Sequence, residues 1–171
     1  MSEPIRQWVA DQTGLVTIWA HANAERPPRP YVTINQLSRT KVGRANVGRP
    51  DGTGEVAVTG NRELSFSIQV IESSEQPDPR AAFEVAEALA DSLELPSVRS
   101  DLSKQGWAFV RIESLNDVPQ VVGTKWEPRA TLDVVFRTAV EQSDTVGVVA
   151  NVEITGDYGD DQQDEIIVEA D

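Results

Sequence analysis

The sequence has no cysteine, one histidine (His21), one methionine and, among its charged side chains, only 15 Lys or Arg against 28 Asp or Glu. The lack of cysteine excludes disulfides and thiolate metal sites. The scarcity of histidine leaves few groups that titrate near neutrality, so acid–base catalysis has little to draw on. No apolar run approaches the roughly 18 residues that a membrane span needs. The opening MSEPIRQW carries an acid and a proline and has no signal-peptide core, so a soluble protein made and used without secretion is expected. A hydrophobic share of 39% is below the globular norm yet too high for a wholly disordered chain. A chain of 171 residues normally makes one domain, and folding then hides roughly 70% of the surface that the unfolded chain would expose.

The formal charge of −13 is unevenly spread. Residues 141–171 contain ten acids (Glu141, Asp144, Glu153, Asp157, Asp160, Asp161, Asp164, Glu165, Glu169 and Asp171) and no Lys or Arg. Residues 26–62 contain seven bases (Arg26, Arg29, Arg39, Lys41, Arg44, Arg49 and Arg62) against Asp51 and Glu55. Such a separation bears on association and orientation rather than on fold.

Along the chain, Ser2 and Pro4 open a helix on which Ile5, Trp8, Val9 and Gln12 share one side until Gly14 stops it. Residues 15–20 are rich in β-branched and aromatic types and read as a strand buried on both faces, followed by a link at 23–30 that holds Pro27, Pro28 and Pro30. Residues 31–37 form a second strand. Gly43, Gly48, Gly52, Gly54 and Gly60, with Pro50, exclude a stable helix and predict either a long mobile loop or an extended hairpin. Leu64, Phe66, Ile68 and Val70 alternate with Ser65, Ser67 and Gln69, the pattern of a half-buried strand. Asp78 and Pro79 signal a helix start, and Ala82, Val85, Ala86, Leu89, Ala90 and Leu93 form its apolar stripe over 79–93. A short helix from Ser97 or Ser100 to Gln105 is stopped by Gly106. Strands at 107–112, 130–140 and 148–154 bring the total to about six. Because the helices sit between blocks of strands, the expected class is α+β: a mostly antiparallel sheet with two or three helices packed on one side, a long Gly-rich basic loop and an acidic C-terminal tail. The expected organisation is a single domain over 1–156 and a flexible tail over 157–171.

Chemistry is sparse. His21 directly follows a predicted strand and lies in no HxxxH or HxxE pattern, which favours a structural or exposed histidine over a functional one. Neither GxSxG nor a P-loop occurs, and Gly52-Thr53-Gly54 lacks the lysine and the helix that a phosphate cradle needs. A Ser or Thr nucleophile has no evident partner base. In the segment holding Asp157, Asp160, Asp161, Asp164 and Glu165, glycine stands third rather than sixth, so EF-hand spacing fails and mutual repulsion predicts a solvated tail. No catalytic residue, metal site or cofactor is therefore expected. Within 38–60, Arg39, Lys41, Arg44 and Arg49 have no aromatic between them, which argues against base stacking. Docking of a protein partner, contact with phosphates and plain solvation stay open there. Trp8, Trp19 and Trp107 read as core; Trp126, beside Pro128 at the entry to a strand, reads with Arg129 as a candidate interface anchor.

The order of features is similar to a known family. Ile18-Trp19-Ala20, Asn23, Arg26-Pro27 and Pro30-Tyr31-Val32, then Gly60-Asn61-Arg62-Glu63 opening an alternating strand, an alanine-rich helix, and Glu127-Pro128-Arg129-Ala130 with Leu132-Asp133-Val134, resemble the tail terminator, or neck terminator, proteins of tailed bacteriophages. The likeness spans about residues 5–156 and rests on structural motifs. It implies an α/β subunit of the virion that assembles, in the host cytoplasm, into a closed ring, typically of six, on the last ring of the tail tube. The ring would stop tube growth and present a surface to neck and head–tail connector proteins, with genomic DNA passing without specific binding and no membrane involved. A head-side connector or tail completion protein is the closest rival reading, ahead of a small enzyme or a nucleic-acid-binding module.

Overall fold

Alternation of apolar and polar residues makes one strand the middle of a sheet. Leu64, Phe66, Ile68 and Val70 are buried on one face, whereas Ser65, Ser67 and Gln69 on the other are half-buried. The computed structural model describes residues 2–22, 25–73, 78, 80–147, 151–155 and 165–169. In chain order its elements are α1 (Glu3–Thr13), β1 (Val16–Trp19), β2 (Tyr31–Val47), β3 (Glu55–Ile71), α2 (Ala81–Ser92), α3 (Pro96–Lys104), β4 (Trp107–Asp117), β5 (Gln120–Val122), β6 (Lys125–Glu127), β7 (Arg129–Thr145), β8 (Asn151–Thr155) and β9 (Glu165–Glu169).

The expected α+β class is the observed one, a mostly antiparallel five-stranded sheet of order β1-β2-β3-β7-β4. β4 runs antiparallel to β7 from Trp107↔Thr138 to Asp117↔Ala130, with irregularities between Phe109 and Arg111 and between Ile112 and Ser114. β1 is parallel to β2, with Val16 opposite Tyr31 and Trp19 opposite Ile34. Two small antiparallel pairs, β5-β6 and β8-β9, stand apart from this sheet. The strand over 15–20 corrects the expectation of burial on both faces: β1 is the sheet's edge, and Val16 is 56% exposed.

The helices contribute Ile5, Trp8 and Val9 from α1, Ala82, Ala86, Leu89 and Ala90 from α2, and Leu102 from α3 to one core with the apolar face of the sheet. α1 ends as expected at Gly14, whose left-handed φ of 66° lets its N–H bond back to the Ala10 carbonyl at 2.9 Å. Phe136 is the hub of the core. Trp8, Phe66, Trp107 and Phe109 meet it edge-on with ring centroids 5.6 to 6.4 Å away. The buried Trp8 indole donates to Ser92 Oγ at 3.1 Å, and that hydroxyl donates to the Leu89 carbonyl at 2.7 Å, so the polar atoms between α1 and α2 are satisfied. Trp107 is buried and Trp19 packs half-buried against the core. Asp78 Oδ1 accepts the Arg80 N–H at 3.0 Å ahead of α2; Pro79 lies outside the described residues.

The chain forms two compact units. The first is Met1–Arg44 with Gly60–Val140, the second Ala45–Thr59 with Glu141–Asp171. The stretch over 38–60 is the hairpin alternative and not a long loop: β2 and β3 fill most of it, and only 48–54 is turn. In that turn Asp51 Oδ1 accepts the Thr53 N–H at 2.9 Å, the Thr53 hydroxyl at 2.7 Å and the Glu55 N–H at 2.9 Å. The Thr53 hydroxyl, then the backbone donors, hold the Asp51 carboxyl below its ordinary pKa. Gly48 suits a close approach, because a Cβ there would stand 3.1 Å from the Ala57 carbonyl oxygen, a tight contact with backbone. Within the acidic segment expected as a flexible tail, β9 pairs with β8 from Glu165 opposite Thr155 to Glu169 opposite Asn151; Asp157, Asp160, Asp161 and Asp164 lie outside the described residues.

Candidate functional site

The short arm formed by β5 and β6 carries the most exposed aromatic ring among the described residues. A two-residue turn, Gly123-Thr124, joins its strands, and Gly123 supplies the positive φ (65°) that such turns demand. Val121 lies directly opposite Trp126, which puts both side chains on one face. They are 51% and 63% exposed. Val118 and Val122, also exposed, extend the apolar surface of the arm.

Charge holds the base of the arm. Glu127 is fully buried. Arg129 grips its Oε1 from two nitrogens, Nε at 2.6 Å and Nη2 at 2.5 Å, and Arg29, from the proline-rich link before β2, ion-pairs with Oε2. On either side, the Glu72 N–H donates to the Pro128 carbonyl at 3.1 Å and the Val118 N–H to the Arg129 carbonyl at 2.8 Å. An isolated buried carboxylate is expensive, so the two guanidinium groups are what permit Glu127 to sit there. Of the two anchors expected from the sequence, Trp126 faces outward, whereas the Arg129 side chain, only 17% exposed, is turned inward onto Glu127. Glu127 itself escaped the sequence reading. The signal was an acid and a base two residues apart in extended chain, which places them on one side; the contribution of Arg29 leaves no such local trace.

Arg39, Lys41, Arg44 and Arg49 are all exposed, and none ion-pairs with another described residue. Arg39 and Lys41 alternate onto one face of β2, while Arg44 closes the first unit's share of that strand. Arg49 belongs to the second unit, beside Asp51, Glu55 and Glu141 around a shallow depression. The charge separation seen in sequence therefore follows the two units. The second unit holds twelve acids and the single base Arg49; the remaining bases of 26–62 all lie in the first.

The sheet also carries a polar patch. Glu63 accepts from Arg137 at 2.5 Å and lies 3.5 Å from Arg111, and the Ser114 hydroxyl donates to Asp133 at 2.8 Å. The Arg137 hydrogen bond is the main influence holding the Glu63 carboxyl below its ordinary pKa. His21 is exposed in the turn after β1, and the Thr53 and Glu55 N–H groups that a phosphate would use are committed to Asp51. Among the described residues no three His, Asp or Glu side chains are grouped to hold a metal ion, and no helix is long and apolar enough to cross a membrane.

The model of the family described as phage neck terminator protein matches residues 1–161. No curated protein matches the chain. The chain thus belongs to the phage neck terminator protein family, whose members are structural components of the virion.

Proposed function

We propose that this neck terminator subunit closes, in six copies, into a ring that seats on the last ring of the tail tube, ends tube growth and offers the face to which the neck of the DNA-filled head is joined. The observation that carries this reading is the family membership over residues 1–161. The surfaces support it. A closed ring needs two complementary patches on every subunit, and the first unit supplies exposed bases on β2 that ion-pair with no other described residue, together with the exposed Val121 and Trp126 pair. The second unit, with twelve acids against one base, is repulsive to phosphate. Such a surface along a lumen lets DNA slide by without retaining it. In this reading Arg39, Lys41, Arg44 and Arg49 contact the neighbouring subunit or the tube ring beneath, and assembly takes place in the host cytoplasm.

Negative-stain imaging of the purified protein, alone and mixed with isolated tail tubes, tests this. Rings of six at tube ends are the expected result, and monomers that ignore the tubes overturn it. Rings that join head connectors while leaving tubes bare move the subunit to the head side. Reversing all four bases (Arg39→Glu, Lys41→Glu, Arg44→Glu and Arg49→Glu) is expected to reduce ring and tube binding at least tenfold while the melting temperature stays near that of the parent. Unchanged binding removes these bases from the contact.

A further inference from the structure

Two exposed rows on the first unit match in spacing and oppose each other in charge. On β2, Leu37, Arg39 and Lys41 follow at every second residue, so their side chains leave the strand on one side, roughly 7 Å apart. All three are exposed, and the two bases ion-pair with no other described residue. On α2, Glu87 and Asp91 stand one turn apart, roughly 6 Å along the axis, on the side turned away from the buried Ala82, Ala86 and Leu89. The exposed Leu95 comes next, in a turn that keeps the helical course, its N–H donating to the Ser92 carbonyl at 3.1 Å. Glu84 and Glu94 flank the pair on the same side and face Arg80 at 3.9 Å and Arg99 at 2.6 Å. Glu87 and Asp91 ion-pair with no described residue.

These acids are held at a cost. Glu84, Glu87 and Asp91 follow at three and four residues, the spacing at which like charges repel along a helix, and α2 contains no base. Asp91 also lies in the last turn, where the negative end of the helix disfavours a carboxylate. An opposed row of bases relieves both penalties.

The two rows cannot meet within one copy. α2 packs on β4, the strand that ends the sheet opposite β1. β1 pairs with β2 only from Tyr31 to Ile34, so farther along β2 is the outermost strand on its side among the described residues. With β3 and β7 between them, β2 and β4 lie about 14 Å apart at roughly 4.8 Å per strand, and the acids of α2 point away from the sheet. The rows thus occupy opposite margins of one unit, the arrangement that gives head-to-tail association of identical copies.

We infer that the β2 row of one copy docks on the α2 row of a second copy of this chain, with Arg39 facing Asp91, Lys41 facing Glu87 and Leu37 facing Leu95. In that order the spacing of the bases on the strand equals that of the acids on the helix to within about 1 Å, and the apolar member of each row falls at the same end. The contact rests on the ring reading and deepens it, since it names what Arg39 and Lys41 meet at each joint.

The full chain in solution, studied by sedimentation velocity and by negative stain with tail tubes, provides the test. Arg39→Glu with Lys41→Glu, and separately Glu87→Lys with Asp91→Lys, are each expected to raise the concentration for half-assembly at least about tenfold, because like charges then face each other at the joint. All four side chains are exposed, so both variants should melt as the parent does. An equimolar mixture of the two variants is expected to assemble within about threefold of the parent concentration, since each reversed row then meets a reversed counterpart and the two kinds of copy alternate around the ring. A variant that had merely lost its fold would gain nothing from mixing. Either variant assembling like the parent overturns the contact and leaves the ring reading in place; if it is the Glu87 and Asp91 variant, the bases meet acids of the second unit or of the tube ring instead. Two variants that fail singly and also fail when mixed overturn it as well. A parent chain that stays monomeric at all concentrations, with and without tubes, overturns the ring reading and the contact together.

Discussion

Arg129→Ala separates a structural role at the arm's base from a role in partner contact. The substitution removes a hydrogen bond from Nε at 2.6 Å and an ion-pair contact from Nη2 at 2.5 Å, both to a carboxylate with no solvent exposure. Breaking a buried ion pair by deleting one partner costs roughly 3–5 kcal/mol, because the remaining charge is stranded. Arg29 still faces Oε2, which puts the expected loss at the lower end, about 3 kcal/mol. For a chain of this size each kcal/mol moves the melting temperature by roughly 2–4 °C, so a fall of about 6–12 °C is expected by calorimetry. Arg29→Ala is the internal comparison: its side chain is 35% exposed, solvent screens it, and the loss should be about 1 kcal/mol or less. Hydrogen exchange adds a local readout. The Val118 amide, bonded to the Arg129 carbonyl at 2.8 Å, should exchange faster in Arg129→Ala than in the parent at equal global stability. If Arg129→Ala costs less than Arg29→Ala, or leaves Val118 protected, the carboxylate does not depend on Arg129 and the reasoning fails.

Two further outcomes follow from the core and the sheet. Phe136→Ala, which empties the position on which four aromatic rings converge, should cost roughly 3–5 kcal/mol in urea unfolding; a loss below about 1 kcal/mol would mean that the rings close over the gap. The Glu63 carboxyl, held low chiefly by the Arg137 hydrogen bond, adds stability that is present at neutral pH and disappears as pH falls from its ordinary 4.5 through its depressed folded value. Glu63→Gln should therefore flatten the acid side of a melting-temperature profile as pH falls below 4.5 and leave the region above pH 7 sloping as before; identical acid limbs would refute the assignment.

The legible parts of the fold were those in which one face repeats. Four apolar residues alternating between Leu64 and Val70, and the stripe from Ala82 to Leu93, each announced both an element and its buried side. Residues 15–20 show the limit of that signal. An apolar run has no means of stating whether a strand is central or at an edge, and Val16 at the edge stays exposed. Glycine content over 43–60 gave an ambiguous signal, because a glycine serves a hairpin by close approach, as at Gly48, or by positive φ, as at Gly43 and Gly54, just as well as it loosens a loop. Strands of three residues, as in β5 and β6, are too short to show any period. At the site, the outward Trp126 was legible from its place beside Pro128. The inward turn of Arg129 was not, because it depends on Glu127 being buried and on Arg29 arriving from a distant segment.

That dependence explains why charge sits where an apolar contact would be cheaper. A two-stranded hairpin this short does not hold itself together in water, so the order of the arm must come from its base. An apolar base would bury as much surface, yet apolar contacts are non-directional and would admit several angles of departure. The Glu127 carboxylate accepts from Arg129 in a side-on grip and meets Arg29 at its other oxygen, which admits few geometries. Such an arrangement adds little net stability over an apolar one but fixes direction. Direction matters here because Val121 and Trp126 are held out in water, where their exposed area is unfavourable until covered. A surface that is both apolar and rigidly aimed loses little conformational freedom on association, and that is the property the proposed ring would draw on if the arm meets a neighbouring subunit.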